Sequence, residues 1–455
     1  MSTTTGSPAG GAPDGVPASE ADPAAGPSTT RGPSTTPGPA KAPERGTSVW
    51  TTNFRLYFGA RTGSLLGDAM LPVALSVGLI DAGYGSSGVG YALGAWMAAL
   101  ALCMLFGGVL ADRFTPRRMM VLADLARLAI QAGMAVMFAT GSTSLAGVVA
   151  LQFLSGAATA LFQPGVASMV PQVATDVQRA NGVLRVAESV AGVLGPALAG
   201  LLVSFSGPGT VFAIYAATYA LSAGCLFALR LEAASDTEAG AESFLRQLAT
   251  GWHEFTSRPW LWGVISIFLL YGCFVAGVSL PVGADLVVSD LGSGALGIGM
   301  AAFGAGGVLG GFVAIKVRSE RPLAAGSLGW ALFALYPVMP ALRPGIVPLS
   351  VGWALAGAGL AYWSVIWATT VQTQIPAELL NRVYAYDVAG SLTSMALGRS
   401  LAGPLASVTG QRTLMVLATA LGLACTALLL AVPAIRGLRA VQAGTALNET
   451  EKQRG

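Results

Sequence analysis

The strongest constraint on this chain is a repetition of apolar runs, each about 20 residues or longer, separated mostly by short polar connections. A run of that length spans the hydrocarbon core of a bilayer when helical. Twelve runs are read at 52–81, 88–111, 118–140, 145–169, 181–205, 209–230, 260–284, 295–316, 323–341, 346–371, 384–408 and 412–433. Inside hydrocarbon no water satisfies the backbone, so each run is expected to be helical. Only 10% of the residues are charged, against roughly 25% in soluble domains. Too little charge remains to cover a water-soluble fold of this size. Cytosolic enzymes, secreted domains and nucleic-acid binders are therefore excluded, and the expected surroundings are a lipid bilayer with no nucleic acid partner.

The connections differ in charge. Those after even-numbered runs hold Arg113, Arg117, Arg118, Arg179, Arg230, Arg258 and Arg321, among others, whereas those after odd-numbered runs hold Arg343 and Arg412. Basic loops stay in the cytosol, so the even connections and both termini are expected there, in a multi-pass protein of a bacterial cell membrane. The Pro-, Gly- and Ser-rich stretch 1–48 has no apolar run and reads as a disordered cytoplasmic tail. The long polar connection 231–258 reads as a central cytoplasmic loop. It separates an N-terminal six-helix bundle, 49–230, from a C-terminal one, 259–435, with a second tail at 436–455.

Matching positions in the two halves support that division. Leu71-Pro72-Val73 recurs as Leu280-Pro281-Val282, Gly107-Gly108 as Gly310-Gly311, Gly195-Pro196 as Gly403-Pro404, and Pro171 as Pro376. Both copies start from the same side, so the repeat is parallel.

Four motifs add specificity. The connection after run 2 reads Gly107-Gly108-Val109-Leu110-Ala111-Asp112-Arg113-Phe114-Thr115-Pro116-Arg117-Arg118 and resembles G-x-L-A-D-R-x-G-R-R, the signature of the major facilitator superfamily. The resemblance implies a charge latch of Gly108, Asp112, Arg113 and Arg117 that opens and closes the cytosolic ends. Thr115 replaces the usual Gly, and Ile315 stands where the second half would repeat the Asp. Gly195, Pro196 and Gly200 in run 5 resemble the superfamily's antiporter motif, with Ala191 and Ala199 in place of two glycines. Small residues also allow ordinary close helix packing. Ser64-Leu65-Leu66-Gly67-Asp68 and the connection Gln372–Val383 resemble motifs of the macrolide-efflux and enterobactin-exporter branch of drug:proton antiporters. Together the resemblances imply twelve transmembrane helices in two pseudo-symmetric six-helix bundles, an all-α integral membrane fold. Run 4 has Gln152 where many proton antiporters place an Arg, which departs from the common proton-transfer scheme.

Charges within the runs are the mechanistic candidates, since a charge at the bilayer centre costs roughly 2.5–3.5 kcal/mol. Asp68 is the first choice for proton coupling, because a buried carboxylate can alternate between protonated and ionised states with conformation. Glu188 is the second. Asp124 and Arg127 lie three residues apart on one helix face and read as an ion pair. Arg61, Asp387 and Arg399 are further intramembrane charges, with Asp387 close to the cytosolic end and suited to a gate. Tyr271, Phe274, Tyr362, Trp363 and Trp367 are candidates for an aromatic substrate cavity, where binding comes from area and stacking; interfacial or lipid-facing positions are the alternative.

The four cysteines sit in apolar runs without metal-ligand spacing, and the single His lies in a polar stretch, so no metal site is expected. No glycine-rich segment is followed by Lys-Ser/Thr, so no nucleotide cofactor is expected. The expectation is a monomeric secondary transporter, not an enzyme, that exports an amphipathic small molecule such as a drug or antibiotic by alternating access against inward proton flow. Siderophore or metabolite export, uptake by the same fold, a membrane enzyme and a passive channel are the alternatives.

Overall fold

The computed structural model describes residues 50–111, 115–174, 176–230, 258–317, 319–375 and 377–439. The N-terminal tail, nearly all of the 231–258 connection, residues 440–455 of the second tail, and Asp112 and Arg113 lie outside the described residues. All regular structure among the described residues is helical. In chain order the helices are α1 Thr52–Asp81, α2 Gly85–Ala111, α3 Pro116–Ala139, α4 Leu145–Val173 and α5 Val177–Ala228. There follow α6 Pro259–Tyr271, a π-helical turn Gly272–Gly277, α7 Val278–Leu291, α8 Ser293–Lys316, α9 Pro322–Leu332 and α10 Leu335–Ala341. The last are α11 Ile346–Gln374, α12 Ala377–Thr409, α13 Gln411–Ala431 and the short α14 Pro433–Arg436.

Local chemistry sets several boundaries. Thr51, Ser144 and Asp176 cap α1, α4 and α5 by accepting from the backbone N–H three residues on, which satisfies donors the first turn leaves open. Pro116, Pro259 and Pro322 start α3, α6 and α9, where a missing N–H costs nothing.

Ten helices among the described residues are long and apolar enough to cross a membrane, two fewer than the twelve runs of the sequence. Both differences have a physical origin. The 52-residue α5 would be about 78 Å long if straight, but it doubles back at Gly207 (φ 78°, ψ 170°). Thr51 Oγ1 donates to the Val173 carbonyl and Asn53 Nδ2 to the Arg230 carbonyl, so the chain just before and just after α5 meets the same end of α1. Runs 5 and 6 are the two legs of this one element. Run 11, within α12, is outside the ten because its serines, glycines and Arg399 lower its hydropathy.

Among the described residues, positive backbone φ is confined to six connections: Gly83 and Gly85, Gly141, Gly207, Gly292, Arg343 and Gly410. Cross-links show that these connections share one end of the molecule. Tyr84 Oη donates to the Thr143 carbonyl, Ser204 and Ser293 pair by their hydroxyls, and Asp290 accepts from Arg412 at 2.7 Å and faces Arg343 at 3.7 Å. Asp285 joins three connections, its Oδ2 accepting from Ser86 N–H at 2.8 Å and Gln411 Nε2 at 2.7 Å.

The first five helices pack among themselves, α1 and α3 against α5 and α2 against α4; in the second part α8 and α9 pack against α11. Across the two, α2 lies on α12 and α5 on α8. Glycine makes these crossings possible: a Cβ on Gly200 would stand 2.7 Å from Gly297 Cα, and one on Gly90 would collide with the Arg399 carbonyl. The crossings sit toward the turn end. At the opposite end the described hydrogen bonds stay within one part: Arg117 Nε donates to the Leu226 carbonyl, Arg258 to Gln374, and Gln374 to Arg439.

Candidate functional site

Asp68 sits in the middle of the 30-residue α1, partly buried. Its Oδ1 accepts two hydrogen bonds of 2.6 Å, from the hydroxyls of Tyr215 and Tyr219 on the second leg of α5. The two tyrosines are one turn apart, and their hydroxyl oxygens lie 2.8 Å from each other. Gly67 permits this approach, because a Cβ there would collide with the Tyr215 ring. The other carboxylate oxygen takes part in none of the described hydrogen bonds. One oxygen is thus anchored by neutral donors.

A buried polar ladder continues from this point. Tyr219 Oη accepts a long bond from Arg127 Nη1 at 3.4 Å. Arg127 pairs with Asp124 at 2.5 Å, and Ser222 donates to the second oxygen of Asp124. The expected ion pair is present, with Asp124 0% and Arg127 1% exposed. The Arg127 guanidinium lies between the rings of Phe162, at 4.3 Å, and Tyr219, at 4.4 Å. One turn further along α3, Gln131 donates to Ser155 of α4 at 3.4 Å, and Gln152 follows one turn beyond Ser155. Gln152 is fully buried and, among the described residues, neither of its side-chain polar atoms has a partner, nor do Gln131 Oε1 and Arg127 Nε. Orphaned atoms of this kind are sites for ordered water. Arg61 stands over the outer side of the Phe162 ring at 5.8 Å, with no carboxylate partner among the described residues.

The second part of the chain is filled differently. Phe268, Trp330, Trp363 and Trp367 stack in series, with centroid separations of 5.6, 5.0 and 6.1 Å and interplanar angles of 10° or less. Tyr271 lies 4.0 Å from Trp330, with its hydroxyl buried and unpartnered. Beside this stack a cavity of about 140 Å³ is enclosed by α6, α11 and α12 and lined by Phe268, Trp363, Ser364, Trp367, Asp387 and Ser391, with Val264, Ile265 and Leu360. Asp387 Oδ2 accepts from Trp367 Nε1 at 2.9 Å. Nearly three turns into α12, this carboxylate lines the cavity. A larger space of about 590 Å³ between α2, α4 and α12 is lined by Tyr91, Ser400 and apolar residues, with no charged group.

The remaining sequence candidates scatter. Glu188 is exposed and paired with Arg185 at 2.8 Å, so it lacks the burial on which its expected role rested. Phe274 is 40% exposed while Tyr271 is 2% exposed, so these two do not form one wall; the π-helical turn rotates them apart. Tyr362 lies outside the ring stack and packs on Gly329. Gly195 packs on Ala69 of α1, while Pro196 and Gly200 meet Gly297 at the α5–α8 crossing. Of the latch motif, Gly108 falls within α2 and the side chain of Arg117 is described: it caps the C-terminal end of α5 through the Leu226 and Phe227 carbonyls, a favourable site for a cation. Arg399 has its Nε buried and unpartnered. Sequence reasoning missed Tyr215, Tyr219, Trp330 and Asp285. The spacing of Tyr215 and Tyr219, one turn apart in an apolar run, was the available signal for the first pair.

The family model of the Major Facilitator Superfamily matches residues 57–387. The chain belongs to the Major Facilitator Superfamily. Its relatives in the superfamily include the multidrug efflux pump Tap of Mycobacterium tuberculosis, 27% identical over 358 residues, covering 76% of this chain and 84% of Tap. They also include the enterobactin exporter EntS of Escherichia coli, 25% identical over 365 residues, covering 78% and 85%. Among solved structures, the nucleoside transporter NupG superposes with a TM-score of 0.64 at 12% identity, over 83% of this chain and 99% of NupG. A bacterial homologue of the human lysosomal transporter Spinster, inward-facing and occupied, gives 0.65 at 15% identity over 84% and 97%. The fold is thus that of a superfamily transporter, a multi-pass membrane protein.

Proposed function

We propose that this protein exports an amphipathic small molecule across a bacterial cell membrane by alternating access, driven by protons moving inward through Asp68. The observation that carries the reading is the Asp68 carboxylate at mid-span, with one oxygen held by two tyrosine hydroxyls and the other in none of the described hydrogen bonds. Each proton crossing 100 mV supplies about 2.3 kcal/mol. Protonation removes the charge that anchors both tyrosines, so it loosens α1 from the second leg of α5 and biases the rocking of one half on the other. The six connected turns favour twelve crossings, in bundles 49–230 and 259–435. With the turn end outside, the basic connections and both termini lie in the cytosol, and the present state is closed outward. Similarity to Tap supports a drug-like substrate, and similarity to EntS favours siderophore export as the second reading.

Inside-out vesicles test the proposal. Energisation should accumulate substrate inside them, an uncoupler should abolish accumulation, and Asp68→Asn should lower substrate-dependent proton flux by roughly tenfold or more, about 1.4 kcal/mol. Export that persists in Asp68→Asn with undiminished proton flux refutes the coupling role. Net uptake in intact cells refutes the direction.

A further inference from the structure

Asp387 and the aromatic wall beside it form a second carboxylate site that the proton-coupling role does not use. We propose that the cavity between α6, α11 and α12 binds the cationic nitrogen of a substrate, with Asp387 as the counter-charge and Trp363 and Trp367 as the aromatic wall. This rests on the transporter reading and names the substrate class it takes: organic ammonium ions with an apolar body.

The geometry argues for a cation. Asp387 Oδ2 is fixed by the indole N–H of Trp367 at 2.9 Å. Its other oxygen takes none of the described hydrogen bonds, and no cation among the described residues pairs with it. The indole donor is neutral, so it offsets none of the charge that Asp387 carries when ionised. The cavity volume of about 140 Å³ suits a small ammonium head rather than a whole drug-sized molecule, so the apolar remainder must lie outside it. Aromatic rings attract a desolvated cation through their quadrupoles, and a carboxylate in such surroundings lacks the water that would screen it. An uncharged ligand could use the rings, but it would leave the carboxylate buried against an apolar group without compensation. Trp363 is held between Trp330 and Trp367 at near-parallel angles of 8° and 10°, so the wall is rigid before ligand arrives and little ordering cost falls on binding.

The decisive comparison uses two probes of equal shape, 3-phenylpropyl-trimethylammonium and its uncharged tert-butyl analogue, titrated calorimetrically into the purified full-length protein in lipid nanodiscs. The wild type should bind the cation at least tenfold more tightly than the neutral analogue. Asp387→Asn should remove that preference and leave binding of the neutral analogue within a factor of about two, while Asp387→Glu should retain part of the preference. Equal binding of both probes by the wild type, failure to bind the cation, or a preference that survives in Asp387→Asn overturns the proposal. Circular dichroism and size-exclusion profiles matching wild type ensure that lost binding is not lost folding. The export reading fails separately: binding with the expected preference but no energised movement of any compound in vesicles leaves the Asp387 site standing and removes the function proposed above.

Discussion

The interiors of residues 50–230 and 258–439 rest on repeated sequence features, yet they are filled in opposite ways. In the first, charges and hydroxyls run from Asp68 through Tyr219, Arg127 and Asp124 to Gln131 and Gln152. In the second, a column of rings runs from Phe268 through Trp330 and Trp363 to Trp367, and a single carboxylate stands at its edge. Each part holds one carboxylate with one oxygen fixed by neutral donors and the other in none of the described hydrogen bonds. At Asp68 the donors are tyrosines joined to a buried arginine; at Asp387 the donor is an indole in an apolar wall. A polar network can respond to a proton by rearranging its hydrogen bonds. A ring wall changes little on protonation and suits contact with an apolar body.

The comparison breaks most readily at Arg127. Arg127→Met leaves Asp124 buried without its cation, so stability should fall by about 3–5 kcal/mol, seen as a large drop in the thermal unfolding midpoint in detergent. The double variant Arg127→Met/Asp124→Asn should recover much of the loss; no recovery would mean that Arg127 acts by packing between Phe162 and Tyr219 rather than by charge. Asp285→Asn removes the charge from bonds that tie Ser86 and Gln411 together across the turn end. Hydrogen bonds to charged groups contribute about 1.5–3 kcal/mol, so labelling of a cysteine placed at Ser87 should rise by about tenfold or more as the turn end opens. Tyr219→Phe deletes one charge-assisted bond to Asp68 while Tyr215 remains, and its cost should fall near the lower end of that range. Tyr271→Phe deletes a hydroxyl that bonds to nothing described, so stability should change by less than about 0.5 kcal/mol. A Tyr271→Phe variant as damaging as Tyr219→Phe would show that the second interior also depends on a polar network, and the contrast between the parts would fail.

Hydropathy and loop charge were enough to read a helical membrane protein, because the bilayer demands satisfied backbone and excludes charge wherever the chain happens to fold; the superfamily was legible only through the resemblance of its motifs. The Asp124–Arg127 pair was also legible, since three residues on one helix bring two side chains together without help from another element. Asp68 was visible as a charge inside an apolar run. Its partners were not, because Tyr215 and Tyr219 reach it only after α5 reverses at Gly207 and returns beside α1. Asp285 lies 199 residues from Ser86 and 126 from Gln411, a meeting that no local pattern encodes. Trp330 and Trp363 come from different helices, and Glu188 lost its expected place because its side chain is exposed and paired with Arg185. The sequence by itself determined which residues must be helical and within lipid, since those are properties of each segment in its solvent. Only the tertiary structure decided which carboxylate has tyrosines, which has indoles and which closes an end of the bundle, since those depend on how distant helices meet.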